Sequence, residues 1–233
     1  MKILTIISNY NEKSSLLETI NDINENASIK TDILVIDNAS SDHSLQLAIN
    51  SGIDYLQHPV NTGGSAGVIK TALLYAYHNN YDIYCHMDGD NQHVAAELVK
   101  IVQPILDGDA DFVFGSRFIN KTGFQSYFFR RIGIALFSKI VSLITGTKLT
   151  DITSGFRAYN RNVIEYFATI YKHEMEVCVQ MPLVAFFSGF RLTEVPVIMR
   201  PRTIGKSEIN FINAFKFPVY STINLIGILI QRR

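Results

Sequence analysis

The chain has 233 residues, 47% of them hydrophobic, with 21 Lys and Arg set against 21 Asp and Glu. A formal net charge of zero provides no overall field for nucleic acid, and the length fits one domain with at most a small appendage. Cys85 and Cys178 lie far apart without a Cys-x-x-Cys context, which argues against a disulfide framework and fits a reducing compartment.

Residues 2–8 read as a buried strand rich in Ile and Leu, and no apolar stretch with a small-residue cleavage site precedes it, so no signal peptide is expected. The polar run Asn9-Tyr10-Asn11-Glu12 leads into a helix over about 14–25. Asp32–Asp37 is a second strand, ended by a carboxylate, and Ser41 or Asp42 is expected to cap the helix that runs to about Asn50. Asp54–Gln57 is a third strand. Gly63-Gly64-Ser65-Ala66-Gly67 then enters a helix reaching about Asn79. Residues 82–87 form a fourth strand before Asp88, a helix spans about 95–106, and 112–114 is a fifth strand. Further on, helices are expected over 127–144, 161–170 and 175–187, with a strand over 191–199 and a loop over 201–207. The alternation predicts an α/β fold with a mostly parallel central sheet and helices on both faces. In such sheets ligands bind outside the carboxyl ends of the strands. That rule gathers three polar stretches on one edge: residues 9–12, Asp37-Asn38, and residues 88–92.

The strongest chemical signal is Asp88-Gly89-Asp90-Asn91-Gln92. Two carboxylates two residues apart, on a turn after a buried strand, can aim at one point, and Gly89 lets the chain bend between them. A hard divalent cation takes oxygen ligands and shares its shell with substrate phosphates, so it would act as a Lewis acid on a leaving diphosphate. Asp37, Asn38 and Glu12 are candidates for holding a base or ribose. The glycines at 63, 64 and 67 form neither a dinucleotide fingerprint nor a Walker motif, and suggest close packing of a helix start. Arg117, Arg157, Arg200, Arg202 and Lys206 are candidates for holding phosphates, with Arg202 and Lys206 on a Pro/Gly-bearing segment suited to a clamping loop.

Together, Tyr10-Asn11-Glu12, Val35-Ile36-Asp37-Asn38, Asp88-Gly89-Asp90-Asn91-Gln92-His93, Gly115-Ser116-Arg117-Phe118 and Asp151-Ile152-Thr153-Ser154-Gly155-Phe156-Arg157-Ala158 resemble the family-2 glycosyltransferases. The branch that the chain looks most like is the dolichyl- or polyprenyl-phosphate sugar transferases, over about residues 3–207. The resemblance implies a GT-A nucleotide-binding fold, inversion at the anomeric carbon, a nucleotide-diphosphate sugar donor and Mg²⁺ or Mn²⁺. It implies a nucleoside pocket at Tyr10, Glu12, Asp37 and Asn38, and a diphosphate and metal site at Asp88, Asp90 and Gln92. It places Arg117 near the acceptor phosphate, Asp151, Ser154 and Arg157 on the acceptor side, and Arg202 with Lys206 on a phosphate-gripping loop. The chain departs from the branch at Ser8 and Val94, where proline is usual, at Asn38, where a second aspartate is common, and at Gly89, where alanine is usual.

The acceptor decides the mechanism. A polyprenyl phosphate brings an anionic oxygen and needs alignment rather than a base. A glycan hydroxyl, as in cell-surface polysaccharide synthesis, needs a base, and Asp151 is the first residue to test for that role. A nucleotidyltransferase would place a basic glycine-rich loop after the first strand, where this chain has Asn9-Tyr10-Asn11-Glu12. An inactive glycosyltransferase-like scaffold would have lost the carboxylates, and both are present. Residues 1–209 are expected to form the catalytic domain and 210–233 an apolar C-terminal segment. The uncharged stretch 217–230 is shorter than the roughly 20 residues of a spanning helix, and two arginines follow it. Peripheral contact with the inner face of the membrane is the expectation, aided by Arg130, Arg131 and Lys139 on the helix over 127–144; a homo-oligomer contact is the other use of such surfaces.

Overall fold

The computed structural model describes residues 1–125, 128–171, 176–202, 221–228 and 230. Seven strands form one sheet: β1 (Ile3–Asn9), β2 (Asp32–Asp37), β3 (Asp54–Gln57), β4 (Ile83–Asp88), β5 (Phe112–Ser116), β6 (Arg157–Asn160) and β7 (Leu192–Pro196). Their order is β3-β2-β1-β4-β6-β5-β7. All neighbouring pairs are parallel except those that β6 makes with β4 and β5. The order reverses between β1 and β4, so a crevice opens beyond Asn9 and Asp88, where the strand ends diverge.

Alternation along the strands divides the core in two. Leu4, Ile6, Leu34, Ile36, Tyr84, Phe112 and Phe114 face one layer, with residues of α3 (Ser65–His78), α5 (Phe128–Thr145), α6 (Arg161–Glu165) and α7 (Gln180–Phe187). Ile3, Ile7, Val35, Cys85, Met87 and Val113 face the other, with α1 (Leu16–Asn26) and α4 (Leu98–Leu106). The short α2 (Ser44–Asn50) lies between β2 and β3 in the chain. Leu225 and Ile228, on a helix over 221–228, pack against the first layer.

Several boundaries differ from the sequence reading. The helix after β2 starts at Ser44, because His43 sits in the left-handed region and Asp42 accepts the Ser44 N–H. A 3-10 turn, Ala95–Glu97, opens the helix that follows β4. The helix expected over 175–187 covers Gln180–Phe187, and the strand expected over 191–199 ends at Pro196. The segment over 161–170 is α6 followed by a π-helical stretch, Tyr166–Ile170.

β6 escaped the sequence reading altogether. It is four residues long and begins with an arginine, a composition that suggests no buried strand. Arg157 is nonetheless 1% exposed. Its guanidinium donates to the carbonyls of Ser154, Ile152 and Val177 at 2.6, 2.6 and 2.7 Å, and lies over the Phe114 ring at 5.0 Å. This corrects the expectation that Arg157 holds a phosphate: its donors are spent on backbone carbonyls, and it ties the 152–154 turn and residue 177 to the sheet. Arg157→Met leaves those carbonyls without their charged donor, and should lower the unfolding free energy by about 3 kcal/mol in a denaturant titration. Stability equal to that of the unsubstituted protein would refute the structural role.

Candidate active site

The site stands where the β1 and β4 ends diverge, and four groups of residues build it. The first is the carboxylate turn. Asp88 ends β4 and is flanked by two buried imidazoles. The Asp88 N–H donates to His93 Nδ1 at 3.1 Å, which leaves His93 Nε2 as the protonated nitrogen, 3.7 Å from Asp88 Oδ2. The Tyr84 hydroxyl lies 2.7 Å from His86 Nδ1. Donation from Tyr84 puts the His86 proton on Nε2, 3.5 Å from Asp88 Oδ1; the opposite tautomer would set a lone pair against the carboxylate. Burial raises the Asp88 pKa, but the facing His86 and His93 outweigh it and hold the carboxyl below its usual range. Burial also keeps His93 neutral, with a pKa lowered to about 4. Gly155 packs so closely on this carboxylate that a Cβ there would lie 2.6 Å from Asp88 Oδ2.

Asp90 is pushed up to about 7, first by burial and then by the Asp88 charge. Its Oδ1 accepts the Gln92 N–H at 3.1 Å and its Oδ2 lies 3.7 Å from Arg202 Nη1. Arg202 also donates a short hydrogen bond to Glu12 Oε1. Burial raises the Glu12 pKa against the pull of Arg202. An acidic oxygen cluster with one member reluctant to ionise has the chemistry of a hard-cation site: a dication would supply the charge that Asp90 needs to deprotonate. Among the described residues no group of three or more His, Cys, Asp and Glu is arranged as a complete metal cage.

The second group is the wall beside β2. Asp37 is 0% exposed; it accepts from Asn9 Nδ2 at 2.6 Å, from the Ser40 hydroxyl, and from the Ser40 N–H at 3.0 Å. Asn38 is buried too, and its Oδ1 accepts from the Thr62 N–H and hydroxyl at 3.1 and 2.9 Å. Both residues were expected to touch a nucleoside directly. Their polar atoms instead brace the turn after β2 and the 61–64 loop. Tyr10 remains partly exposed beside them. Gly67 serves packing, as its spacing suggested: a Cβ there would meet Thr62 Oγ1 at 2.3 Å.

The third group is at the end of β5. Arg117 makes a two-pronged ion pair with Asp151, Nε to Oδ2 at 2.7 Å and Nη2 to Oδ1 at 2.9 Å. Asp151 is fully buried, and its own N–H is held by Glu194 Oε1 at 2.7 Å. This geometry corrects the notion of Asp151 as a base, because both oxygens are already engaged. Burial works against the Arg117 charge, but Asp151, with Asp88 and Asp90, more than offsets it, so its pKa is raised. Ser154 is buried and its hydroxyl accepts the Phe156 N–H at 3.2 Å, so it shapes the turn. A groove of about 580 Å³ adjoins this group, lined by Phe118, Arg131, Ile132, Lys139, Lys148 and Leu149 among others. Lys148 was missed in the sequence, where it carries no motif.

The fourth group is the arm after β7. Arg200 pairs with Asp22 on α1 and was wrongly expected to hold phosphate. Arg202 reaches the carboxylates, as described above. Lys206 lies outside the described residues, as does the apolar stretch over 210–220.

The sequence pattern described as "Glycosyl transferase family 2" matches residues 5–167. The chain belongs to that family. Among relatives of this glycosyltransferase, the polyprenol monophosphomannose synthase of Mycolicibacterium smegmatis is 26% identical, over 89% of this chain and 80% of the relative. The undecaprenyl-phosphate mannosyltransferase of Micrococcus luteus is 27% identical, over 90% and 88%. Both relatives are named for the transfer of mannose to polyprenyl phosphates. The glucosyl-3-phosphoglycerate synthase of Mycobacterium tuberculosis, solved with Mn²⁺, UDP and phosphoglyceric acid, shares the GT-A fold at a TM-score of 0.67 and 15% identity, covering 97% of this chain and 78% of that one.

The glycosyltransferase site carries a pH signature. The Asp90 pKa is about 7 when folded and about 3.8 as a free side chain, so the folded protein holds the extra proton. Without added metal, this group's contribution to stability is present below pH 4 and is lost as pH rises through about 7. A bound dication must displace that proton, so Mn²⁺ affinity, followed by EPR titration, should fall about tenfold per pH unit below 7. Affinity that is flat from pH 5 to 8 would remove Asp90 from the metal site.

Proposed function

We propose that this family-2 glycosyltransferase moves a sugar from a nucleotide-diphosphate donor to a polyprenyl phosphate, inverting the anomeric carbon. The observation that carries the reading is the pairing of two unlike anion sites on one sheet edge. One is acidic and suited to a cation-bound diphosphate; the other is basic, at Arg117, and opens on a cation-lined groove. The names of the relatives supply the acceptor class.

Asp90 and Asp88 would hold a Mg²⁺ or Mn²⁺ ion, which supplies Lewis-acid stabilisation of the leaving diphosphate. Arg202 is placed to shift from Glu12 and Asp90 to the diphosphate oxygens once the donor's negative charge arrives. Arg117 has Nε and Nη2 on Asp151, which fixes the guanidinium plane and leaves its Nη1 edge to orient an acceptor phosphate. An acceptor phosphate oxygen attacks the anomeric carbon while the bond to the diphosphate breaks, and the nucleoside diphosphate leaves with the electron pair. The nucleophile is already anionic, so no protein base is required. The engagement of Asp151 by Arg117 favours this over a sugar-hydroxyl acceptor. Asp90→Ala should reduce transfer to a short polyprenyl phosphate by on the order of 10²–10³-fold with the fold intact. Full activity of that variant, or of the unsubstituted enzyme in excess chelator, would refute the cation role. Transfer to a glycan hydroxyl but never to a lipid phosphate would refute the acceptor.

A lipid acceptor gives the protein a reason to work at the cytoplasmic face of the membrane. No helix among the described residues is long and apolar enough to cross a bilayer. Ile132, Leu136 and Leu143 nevertheless form an exposed stripe on α5, and Ile223, Ile226 and Ile230 are exposed near the C-terminus. Cations line the adjoining groove, as suits an anionic surface. Leu136→Glu with Leu143→Glu should abolish co-sedimentation with vesicles containing anionic lipid at low salt. Undiminished binding would show that this stripe makes no membrane contact.

A further inference from the structure

Asp22 is buried on α1 and belongs to none of the motifs, yet it accepts four hydrogen bonds. Its Oδ1 takes Asn26 Nδ2 and Arg200 Nη2, each at 3.0 Å. Its Oδ2 takes the Ala95 N–H at 2.8 Å and Arg200 Nη1 at 3.1 Å. The side chain therefore holds two segments at once: the chain leaving the carboxylate turn, at Ala95, and the arm after β7, at Arg200. Further contacts join the same two segments. The Arg200 N–H donates to the Gln92 carbonyl at 2.8 Å, and Gln92 Nε2 donates back to the Arg200 carbonyl at 3.2 Å. Arg200 Nη1 also reaches Asn91 Oδ1 at 2.8 Å, and His93 bridges to Met199. Charge keeps the ion pair engaged: burial works to raise the Asp22 pKa, but Arg200 and the other donors lower it.

Arg202 lies two residues beyond this clamp. Two residues of chain span at most about 7 Å, so fixing Arg200 confines the position of Arg202. The residue between them is Pro201, which locks its own φ and disfavours the helical region for Arg200. The arm from Arg200 to Arg202 is thus short and stiff, with its base pinned to the turn that carries Asp88 and Asp90.

We propose that Asp22 and Arg200 are positioning residues whose ion pair sets the grip of Arg202 on the donor diphosphate. The inference rests on the donor reading above and adds two residues to it. A salt bridge serving stability alone would make a different thermodynamic prediction, because its loss would act independently of Arg202.

The test is a double-mutant cycle on nucleoside diphosphate binding. Affinities of UDP and GDP in saturating Mn²⁺ are measured by calorimetry for the unsubstituted chain, Arg200→Gln, Arg202→Ala and the double variant, with Asp22→Asn as a second way to break the clamp. Arg200→Gln and Asp22→Asn are each expected to weaken binding of the preferred nucleotide about tenfold. In the Arg202→Ala background, Arg200→Gln should cost nothing more. Losses that multiply in the double variant, or unaltered affinity in both Arg200→Gln and Asp22→Asn, would overturn the proposal. An unsubstituted chain that binds neither nucleotide would overturn the donor reading itself, and the proposal with it.

Discussion

Two carboxylates two residues apart, turned into a partly desolvated crevice, repel each other, and much of the site is arranged around that repulsion. Asp88 is accommodated by imidazoles: His86 and His93 each direct a ring nitrogen at one of its oxygens. Asp90 has no such partner. It has one backbone N–H from Gln92 and a more distant guanidinium from Arg202, and its pKa rises accordingly. The asymmetry matters. Asp88 stays ionised, while Asp90 becomes fully ionised only when more positive charge arrives. The ionisation of such a site depends on the charge of whatever it binds.

The end of β5 follows a different logic. There the important charge is a cation, Arg117, and the surrounding structure immobilises it. Glu194 on β7 holds the backbone of Thr150 and Asp151, and Asp151 in turn holds Arg117 in two-pronged geometry. Arg157 ties the following turn to the sheet through Ile152 and Ser154. A guanidinium oriented in advance loses little freedom when an anion arrives. The antiparallel strand β6 makes both sides possible. It sits between β4 and β5 and so brings Gly155 onto Asp88 while Asp151 reaches Arg117.

Many of the residues that gather at the strand ends were visible in the sequence, but several of their contacts were not. The turn from Asp88 to Gln92, Glu12, Arg117 and Arg202 converge as a strand-end rule suggests, because parallel strands deliver their carboxyl ends to one edge. Asp37, Asn38, Arg157 and Arg200 carry the same side-chain chemistry as ligand-binding residues, and each proved to be committed to the protein's own backbone or side chains. A side chain's hydrogen-bonding capacity can be read from its identity, whereas the partners that use it depend on residues distant in sequence. Arg157 pairs with the carbonyl of Val177 and Arg200 with Asp22, across separations of 20 and 178 residues.

The sequence by itself determined the layered α/β architecture and the sheet edge on which the polar strand ends gather. Both follow from local patterns: short, nearly continuous apolar runs, helical spacing between them, and polar residues where the runs stop. Tertiary structure alone decided which charges face outward. Asp22 shows the difference. In the sequence it is one acid on an amphipathic helix, where solvation is the ordinary expectation. In the fold it is buried, with four donors satisfied and two distant segments joined through it. Burying a charge is favourable only when its partners are already assembled, and no local pattern reports that assembly.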